Sequence, residues 1–255
     1  MANIIEQAIY DEIKTCFGNG EKRTAMYLSG GIDSAIILYH LTTIAKKFNK
    51  KIYTYTANFG LDQDEDKQAK KVADHFQSIH EEVKINNIQD KLHEILPLFD
   101  KPRFNIWPYY LAEVAKQNDC KQIFIGEGAD EVFGGYKTKT YLEAWADSII
   151  YIMSTYKIIH KRFNLKLCAP YLNLDWKEFS VFHHNPDKYY LRLAYKNILP
   201  DFITDMKSRP PACTNYISLG KKEFPEYFNE TPKNQLEARK IINKVITYLW
   251  LSYQQ

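Results

Sequence analysis

The chain has 255 residues, of which 45% are hydrophobic, enough for one substantial core or for a main domain with a helical appendage. The formal net charge of +3 is too small to argue for nucleic acid or an anionic membrane as a partner. No run approaches ~20 apolar residues, so we expect no membrane-spanning helix, and the N-terminal segment has early acids that a signal peptide lacks. The four cysteines form no CxxC pair, which favours reduced thiols in the cytoplasm over a disulfide framework or a zinc site.

The first half of the chain alternates helical and strand-like patterns. In chain order the pattern predicts a helix over 2–17, a strand over 24–28, a helix over 33–48, a strand over 51–59, a helix over 64–76, a strand over 79–85, a helix over 107–118 and a strand over 121–128. Strands that alternate with helices at this spacing indicate βαβ units in one open, mostly parallel sheet. Ligands of such sheets bind at the carboxyl ends of the strands.

The strand signals fade after residue 138. The second half predicts helices over 138–160, 187–200 and 232–253, with a proline-containing loop over 166–176. We therefore expect a single domain over 1–255. Its α/β nucleotide-binding core would occupy 1–137, and a mostly helical part, 138–255, would pack on the functional edge of the sheet.

A glycine turn, SGGIDS (29–34), lies between the first predicted strand and the helix that follows. It lacks the lysine of a kinase-like P-loop and does not have the GxGxxG spacing of a dinucleotide fingerprint. Backbone N–H groups of such a turn and of a helix N-terminus can still hold phosphate oxygens. Asp33 would repel phosphate unless Mg²⁺ lies between them, which suits cleavage between the α- and β-phosphates of ATP. The alternative is that Ser29 or Asp33 only caps the helix.

A second glycine turn, GEGADEVFGGY (126–136), follows the strand predicted over 121–128. Glu127, Asp130 and Glu131 are close together here, and bunched carboxylates repel one another unless a metal or another cation joins them. The alternative is an acidic surface loop. The position at the carboxyl end of an apolar strand favours a ligand site.

The two turns carry a family resemblance. SGGIDS resembles the PP-loop of the N-type ATP pyrophosphatases, and GEGADEVFGGY resembles the signature of the synthetase domain of asparagine synthetases and their β-lactam-forming relatives. The segments YTYTANF, WPYYLAEVAK and KYYLRLAYKNILP (188–200) are similar to further elements of that domain. The resemblance implies an adenine nucleotide alpha hydrolase-like, PP-loop fold over most of the chain.

The resemblance also implies roles for single residues. Pyrophosphate would be bound by Ser29, Gly30, Gly31 and Ser34, adenosine by Tyr27, Ala57 and Gly126, partly through backbone atoms, and Mg²⁺ by Asp33 and Asp130. Glu127 would be the active-site carboxylate that helps to take the proton of the nucleophile.

The chain departs from the family at its N-terminus. Members with glutaminase activity carry an N-terminal domain whose catalytic cysteine follows the initiator Met, whereas residue 2 here is Ala2. Because the glycine turn begins at residue 29, we expect no such domain in this chain. We therefore expect free ammonia, a separate amidotransferase or another amine to supply the nitrogen.

A second departure lies at 166–173, where KLCAPYLN stands in place of a segment that usually reads EARVPFLD. Pro170 and Leu172 match, but Lys166, Cys168 and Asn173 replace two acids and an arginine. The substitutions raise doubt about aspartate as the substrate. The alternative is a structural loop whose ion pairs have changed.

The family's basic segment, which steadies the α-phosphate, corresponds here to DMKSRPPA (205–212). Lys207 and Arg209 flank the expected position of its lysine, and we prefer Lys207 as the phosphate ligand. The alternative is a solvated pair on a loop.

The resemblance implies an ATP-dependent carbon–nitrogen ligase with ATP and Mg²⁺ as cofactors. It would adenylate a small carboxylate, release pyrophosphate and transfer the acyl group to ammonia or an amine. Two alternatives stay open at this point: a PP-loop enzyme that modifies a nucleobase or tRNA, and a non-catalytic nucleotide-binding subunit. We expect a cytoplasmic protein with no membrane and no nucleic acid as partners, and the sequence leaves the oligomeric state open.

Overall fold

The computed structural model describes residues 2–18, 23–61, 65–135, 148–179, 186–205 and 215–254, together with Glu143 and Ala146. Its centre is a five-stranded, entirely parallel sheet in the order β3-β2-β1-β4-β5. The strands are β1 (Thr24–Tyr27), β2 (Tyr53–Asn58), β3 (Ile79–Lys84), β4 (Gln122–Phe124) and β5 (Lys166–Cys168). The predicted open parallel sheet with flanking helices is confirmed.

The order of the strands creates a switch point next to β1. The chain runs outward from β1 to β2 and β3, and then returns to place β4 on the other side of β1. Met26 of β1 is paired with Thr54 of β2 on one side and with Phe124 of β4 on the other. The turns that follow β1 and β4 therefore meet where open α/β sheets bind their ligands.

Helices surround the sheet along the chain. Their bounds are α1 (Ala2–Phe17), α2 (Ile32–Lys46), α3 (Glu65–Phe76), α4 (Leu92–Ile95), α5 (Pro108–Gln117), α6 (Ala129–Phe133), α7 (Ser154–Arg162), α8 (Pro170–Asn173), α9 (Trp176–Phe179), α10 (Tyr189–Tyr195), α11 (Asp201–Thr204), α12 (Tyr216–Glu223) and α13 (Gln235–Ser252). A π-helical segment, Ser148–Met153, precedes α7 directly, and 3₁₀ turns occupy 89–91, 96–98, 186–188 and 225–227.

Strand β1 is buried on both faces. Ala25 and Tyr27 point into a core shared with α5, α7 and α13, whereas Met26 and Leu28 point into a core shared with α1, α2 and α10. This alternation follows the two-residue period of a strand. Burial on both faces is typical of parallel sheets, whose strands read as continuous apolar runs.

The structure corrects two of the sequence predictions. The strand predicted over 121–128 ends at Phe124, and the loop predicted over 166–176 contains β5 and α8. Phe124 of β4 is paired with Cys168 of β5. A three-residue strand is too short to show alternation in the sequence, and pairing with β4 stabilises it instead. The sheet thus takes its last strand from the second half of the chain.

None of the helices in the described ranges combines the length and the apolar character needed to cross a bilayer. The helices predicted for the first half are confirmed to within a few residues. Of the helix predicted over 138–160, residues 138–142, 144, 145 and 147 lie outside the described residues, Glu143 and Ala146 are helical, and 148–160 is helical with the π-helical segment Ser148–Met153 at its start.

Candidate active site

The SGGIDS turn begins helix α2 without a side-chain cap. Gly31 is the N-cap residue, with φ −72° and ψ 164°, and as a glycine it provides no side-chain cap, while its own N–H donates to the Ser29 hydroxyl at 3.4 Å. The hydroxyl of Ser34 donates to the Gly31 carbonyl at 3.0 Å and lies 3.2 Å from the Ser29 hydroxyl. The interpretation of Ser29 or Asp33 as a helix cap is therefore wrong, and the first N–H groups of α2 are left for another acceptor.

Gly30 is required by both its conformation and its surroundings. Its φ of +75° lies in the left-handed region, and a Cβ atom added to it would lie 2.6 Å from the backbone nitrogen of Ala69. The glycine turn thus packs directly against the backbone of α3. A side chain at position 30 would push the turn away from its place at the edge of the sheet.

The second turn is built around Asp130. Gly128 has φ +102° and begins the short helix α6, and Gly134 with φ +79° ends it. The N–H groups of Gly134 and Gly135 donate to the Asp130 carbonyl at 3.1 and 2.9 Å. A Cβ atom on Gly135 would overlap the Asp130 carboxylate, so the missing side chain leaves the space that this carboxylate fills.

The two turns touch each other. A Cβ atom built on Gly126 would lie 3.5 Å from the Ser34 nitrogen and 3.6 Å from Cβ of Asp33. The hydroxyl of Tyr171, in α8, donates to the Asp33 carbonyl at 2.9 Å and holds this side of the contact. The sheet topology thus brings together two motifs that are about ninety residues apart in the sequence.

Lys188 joins the two aspartates. Its ammonium forms an ion pair with Oδ2 of Asp33 and a second one, 2.7 Å long, with Oδ1 of Asp130. The lysine is only 7% exposed. Burial lowers the pKa of its ammonium, but Asp33 and Asp130 raise that pKa above its ordinary value, so the lysine stays charged.

The backbone at Lys188 is unusual. Lys188 and the preceding Asp187 both have φ near +57°, in the left-handed region. Each such residue costs on the order of 1–3 kcal/mol and is typical of functional sites. Lys188 opens the family-like segment 188–200, but the sequence alone gives it no role in the site, because one lysine is not distinctive in a chain with 34 lysines and arginines.

The donor set fits Mg²⁺. Oδ1 of Asp33 is buried and has no hydrogen-bond partner within the described ranges. Burial raises the pKa of Asp33, Lys188 lowers it and Asp130 raises it, with a net shift upward. No group of three or more potential ligand side chains occurs among the described residues. Two carboxylates suffice, because Mg²⁺ is usually held by one or two carboxylates together with substrate phosphates and water.

The carboxylate of Glu127 has different surroundings from those of Asp33 and Asp130. Burial, followed by the charge of Glu131, raises the pKa of Glu127 to about 7. The hydroxyl of Tyr156, in α7, donates to its Oε1 at 3.1 Å and partly offsets that shift. The carboxylate is partly exposed and is poised to exchange a proton near neutral pH. Glu131, by contrast, is fully buried, so the three acids of this turn have different surroundings.

Comparison with known proteins agrees with this arrangement. The family model described as asparagine synthase matches residues 5–179, which include both glycine turns. The chain belongs to the asparagine synthase family. The match ends before Lys188.

Several curated asparagine synthetases are similar to about half of the chain. The glutamine-hydrolyzing asparagine synthetase 1 of Bacillus subtilis is 29% identical over 138 residues, 52% of this chain and 21% of that protein. The glutamine-hydrolyzing enzyme of Gallus gallus is 30% identical over 146 residues, 51% of this chain and 26% of that protein. The matched region thus spans about a quarter of each of these relatives.

Solved structures with a similar overall course include two enzymes. A U34-tRNA thiolase from Methanococcus maripaludis has a TM-score of 0.48 at 16% identity, covering 96% of this chain and 79% of its own. An NH3-dependent NAD synthetase from Campylobacter jejuni has a TM-score of 0.43 at 14% identity, and the match covers 100% of this chain and 97% of that synthetase.

The residues assigned to adenosine lie at the ends of β1, β2 and β4. The side chain of Tyr27 is buried, and its hydroxyl lies 2.8 Å from Nε2 of His160 and 3.1 Å from the carbonyl of Pro108. Contact between Tyr27 and a nucleotide would therefore have to use the backbone. Ala57 and Gly126 are both partly exposed.

The substituted asparagine synthase segment at 166–173 contacts α1. Lys166 donates to the carbonyl of Cys16 at 3.0 Å, and the side-chain amide of Asn173 lies 3.9 Å from the sulfur of Cys16. Cys168 is buried. The contacts of Lys166 and Asn173 support the structural interpretation of this segment.

Lys207 and Arg209 lie outside the described residues. The structure therefore does not place the predicted α-phosphate ligand.

Proposed function

We propose that the protein is an ATP-dependent ligase that activates a small carboxylate as an acyl-adenylate and transfers it to ammonia or an amine. The main support is the convergence of Asp33 and Asp130 on one ammonium, at the sheet's switch point, beside the uncapped N-terminus of α2. Membership of the asparagine synthase family supports the use of ATP.

The first half-reaction would use the SGGIDS turn. Uncapped N–H groups at the start of α2, with the hydroxyls of Ser29 and Ser34, would bind the β- and γ-phosphates. Asp33 and Asp130 would hold Mg²⁺, which neutralises charge on the phosphates and favours departure of pyrophosphate. The ammonium of Lys188 would add a fixed positive charge at the same place.

The second half-reaction would use Glu127. The nitrogen nucleophile must lose a proton as it attacks the acyl carbon, and a base works best when its pKa lies near the working pH. The pKa of Glu127 is about 7, so at neutral pH a large share of this carboxylate is ionised and able to accept that proton.

The nitrogen source is part of the proposal. The matched relatives are glutamine-hydrolyzing enzymes, and this chain matches only about a quarter of each of them. We propose that ammonia, an amine or a separate amidotransferase supplies the nitrogen in the cytoplasm. Aspartate is the reference acid to test first.

A screen of ATP–pyrophosphate exchange over amino acids and small carboxylic acids tests the function. At least one acid should stimulate exchange, and Asp130→Asn should reduce it by at least tenfold because it removes one negative charge from the proposed metal site. Lys116→Met, an exposed lysine near the end of α5, serves as the control.

The same screen separates the alternatives. Pyrophosphate release that depends on added tRNA would favour a nucleic-acid-modifying enzyme. ATP binding without turnover would favour a nucleotide-binding subunit. Either result, with no exchange for any acid, would refute the ligase.

A further inference from the structure

Tyr156, in α7, makes a direct contact with Glu127. Its hydroxyl donates to Oε1 of Glu127 at 3.1 Å. The tyrosine is 1% exposed, whereas Glu127 is partly exposed. One oxygen of the carboxylate is therefore held by the protein, and the described residues donate no hydrogen bond to the other.

The ring of Tyr156 is fixed on several sides. It packs edge-on against Trp107, with ring centres 5.8 Å apart, and lies nearly parallel to the imidazole of His160, also at 5.8 Å. Nδ1 of His160 lies 2.6 Å from the Tyr156 carbonyl. Burial lowers the pKa of His160 to about 4, so this imidazole stays neutral at physiological pH and donates through Nδ1 to that carbonyl.

The segment before Tyr156 is an irregular helix that is held in place by Arg103. Ser148–Met153 is a π-helix, a geometry that is rare and frequent at functional sites. The buried guanidinium of Arg103 donates to the Tyr151 carbonyl and to the Thr155 hydroxyl, both at 3.1 Å. Arg103 thus ties the end of the π-helix to the turn that carries Tyr156.

The charges around Glu127 oppose its ionisation. Glu131, Asp130 and Asp33 all raise the pKa of Glu127, in addition to burial. In the described part of the chain, the hydroxyl of Tyr156 provides the hydrogen bond that favours the ionised carboxylate. Without it, the carboxylate would be less ionised at neutral pH and free to rotate.

We propose that Tyr156 is a positioning residue for Glu127, which fixes Oε1 and leaves Oε2 as the atom that accepts the proton of the nucleophile. This inference rests on the proposed ligase function. In the step concerned, the nitrogen lone pair forms the C–N bond, the electron pair of the acyl–phosphate C–O bond leaves with AMP, and the nitrogen proton passes to Oε2.

Tyr156→Phe tests the contact with the ring left in place. In protein with ¹³C-labelled glutamate side chains, the NMR signal of Glu127 is assigned by its loss in Glu127→Gln. The midpoint of its pH titration is then measured with and without Tyr156→Phe. The midpoint should rise by about one pH unit, the equivalent of one hydrogen bond to a charged group. Tyr110→Phe is the matched control, because it removes another buried hydroxyl, which donates to the Ile88 carbonyl at 3.0 Å, and it should leave the midpoint unchanged.

The two half-reactions test the role. With aspartate and ammonium chloride, or with the acid that gives the most exchange, Tyr156→Phe should lower amide formation by about tenfold or more while exchange falls far less. A loss of exchange as large as the loss of amide formation would overturn the proposal.

If Tyr156→Phe does not fold, a second variant tests the same contact. Replacement of Tyr156 by 3,5-difluorotyrosine keeps the ring and the hydroxyl but makes the hydroxyl a stronger donor, so the Glu127 midpoint should fall. An unmoved midpoint with normal exchange would refute the role of Tyr156 alone. Absence of exchange with every acid would refute the ligase, and with it the catalytic consequence of the contact.

Discussion

Lys188→Met should destabilise the protein because it leaves two carboxylates facing each other without the ammonium that joins them. Removal of one member of a buried ion pair costs about 3–5 kcal/mol when the partner stays charged and buried. The side chains of Asp33 and Asp130 are 21% and 39% exposed, so water screens part of this repulsion. We therefore expect a loss of about 2–3 kcal/mol in the free energy of unfolding at pH 8.

The loss should depend on pH with a defined sign. Lys188 lowers the pKa of Asp33, so its removal moves the already raised pKa of Asp33 further upward. A carboxylate with a raised pKa in the folded state favours folding when protonated. The deficit of the variant is therefore full above that pKa and shrinks as the pH falls through it.

Urea unfolding at pH 8 and pH 5, with and without Mg²⁺, measures these effects. Mg²⁺ at 100 times its dissociation constant should restore about 2.7 kcal/mol to the variant at pH 8. It should stabilise the unaltered protein less, because the ammonium of Lys188 already lies between the two carboxylates. Lys196→Met, which alters an exposed lysine just after α10, is the control. A deficit that neither low pH nor Mg²⁺ reduces would refute the cation-bridge reasoning.

Three further predictions concern the turns and the base. The kcat/KM for amide formation should rise through about pH 7 as Glu127 ionises. Glu127→Gln should abolish this rise, and the variant should keep more of its ATP–pyrophosphate exchange than of its amide formation. A kcat/KM that falls through pH 7 would contradict the role of Glu127 as a base. Gly30→Ala should lower the free energy of unfolding in urea by about 2–5 kcal/mol, because alanine is strained at this left-handed φ and its Cβ overlaps the backbone of α3. Gly18 has a similar φ of +70° but open space around it, so Gly18→Ala should lower the free energy of unfolding by only about 1–2 kcal/mol. Equal costs would refute the packing argument. Asp130→Asn should weaken the response of thermal stability to Mg²⁺, and an unchanged response would place the metal elsewhere.

The sequence was sufficient for the central part of the fold because local pattern and tertiary structure agree there. Strand β1 is a continuous apolar run followed by a glycine turn, and both its existence and its parallel pairing follow from that pattern. Strand β5 could not be predicted, since its three residues depend on the neighbouring β4 for their conformation. The end of β4 was likewise placed four residues too late, because Gly126 and Gly128 belong to the loop that leads into α6.

The candidate site was predictable where residue types are distinctive and unpredictable where position alone matters. Asp33, Glu127 and Asp130 stand in glycine-rich motifs that few other structures require. Lys188 and Tyr156 do not, because a lysine or a tyrosine in a helical segment is most often a surface or core residue. Their roles follow only from contacts made across more than twenty residues of intervening chain.

The absent side chain of Gly135 has a consequence for recognising active relatives. Because the carboxylate of Asp130 fills the space where a Cβ atom would stand, even alanine at 135 would force that carboxylate out of its present orientation. A homologous chain could thus keep the aspartate and still lose the geometry that pairs it with Asp33. Glycine at this position is therefore as informative a marker of an intact site as the aspartate itself, and a survey of sequences for working enzymes should require both.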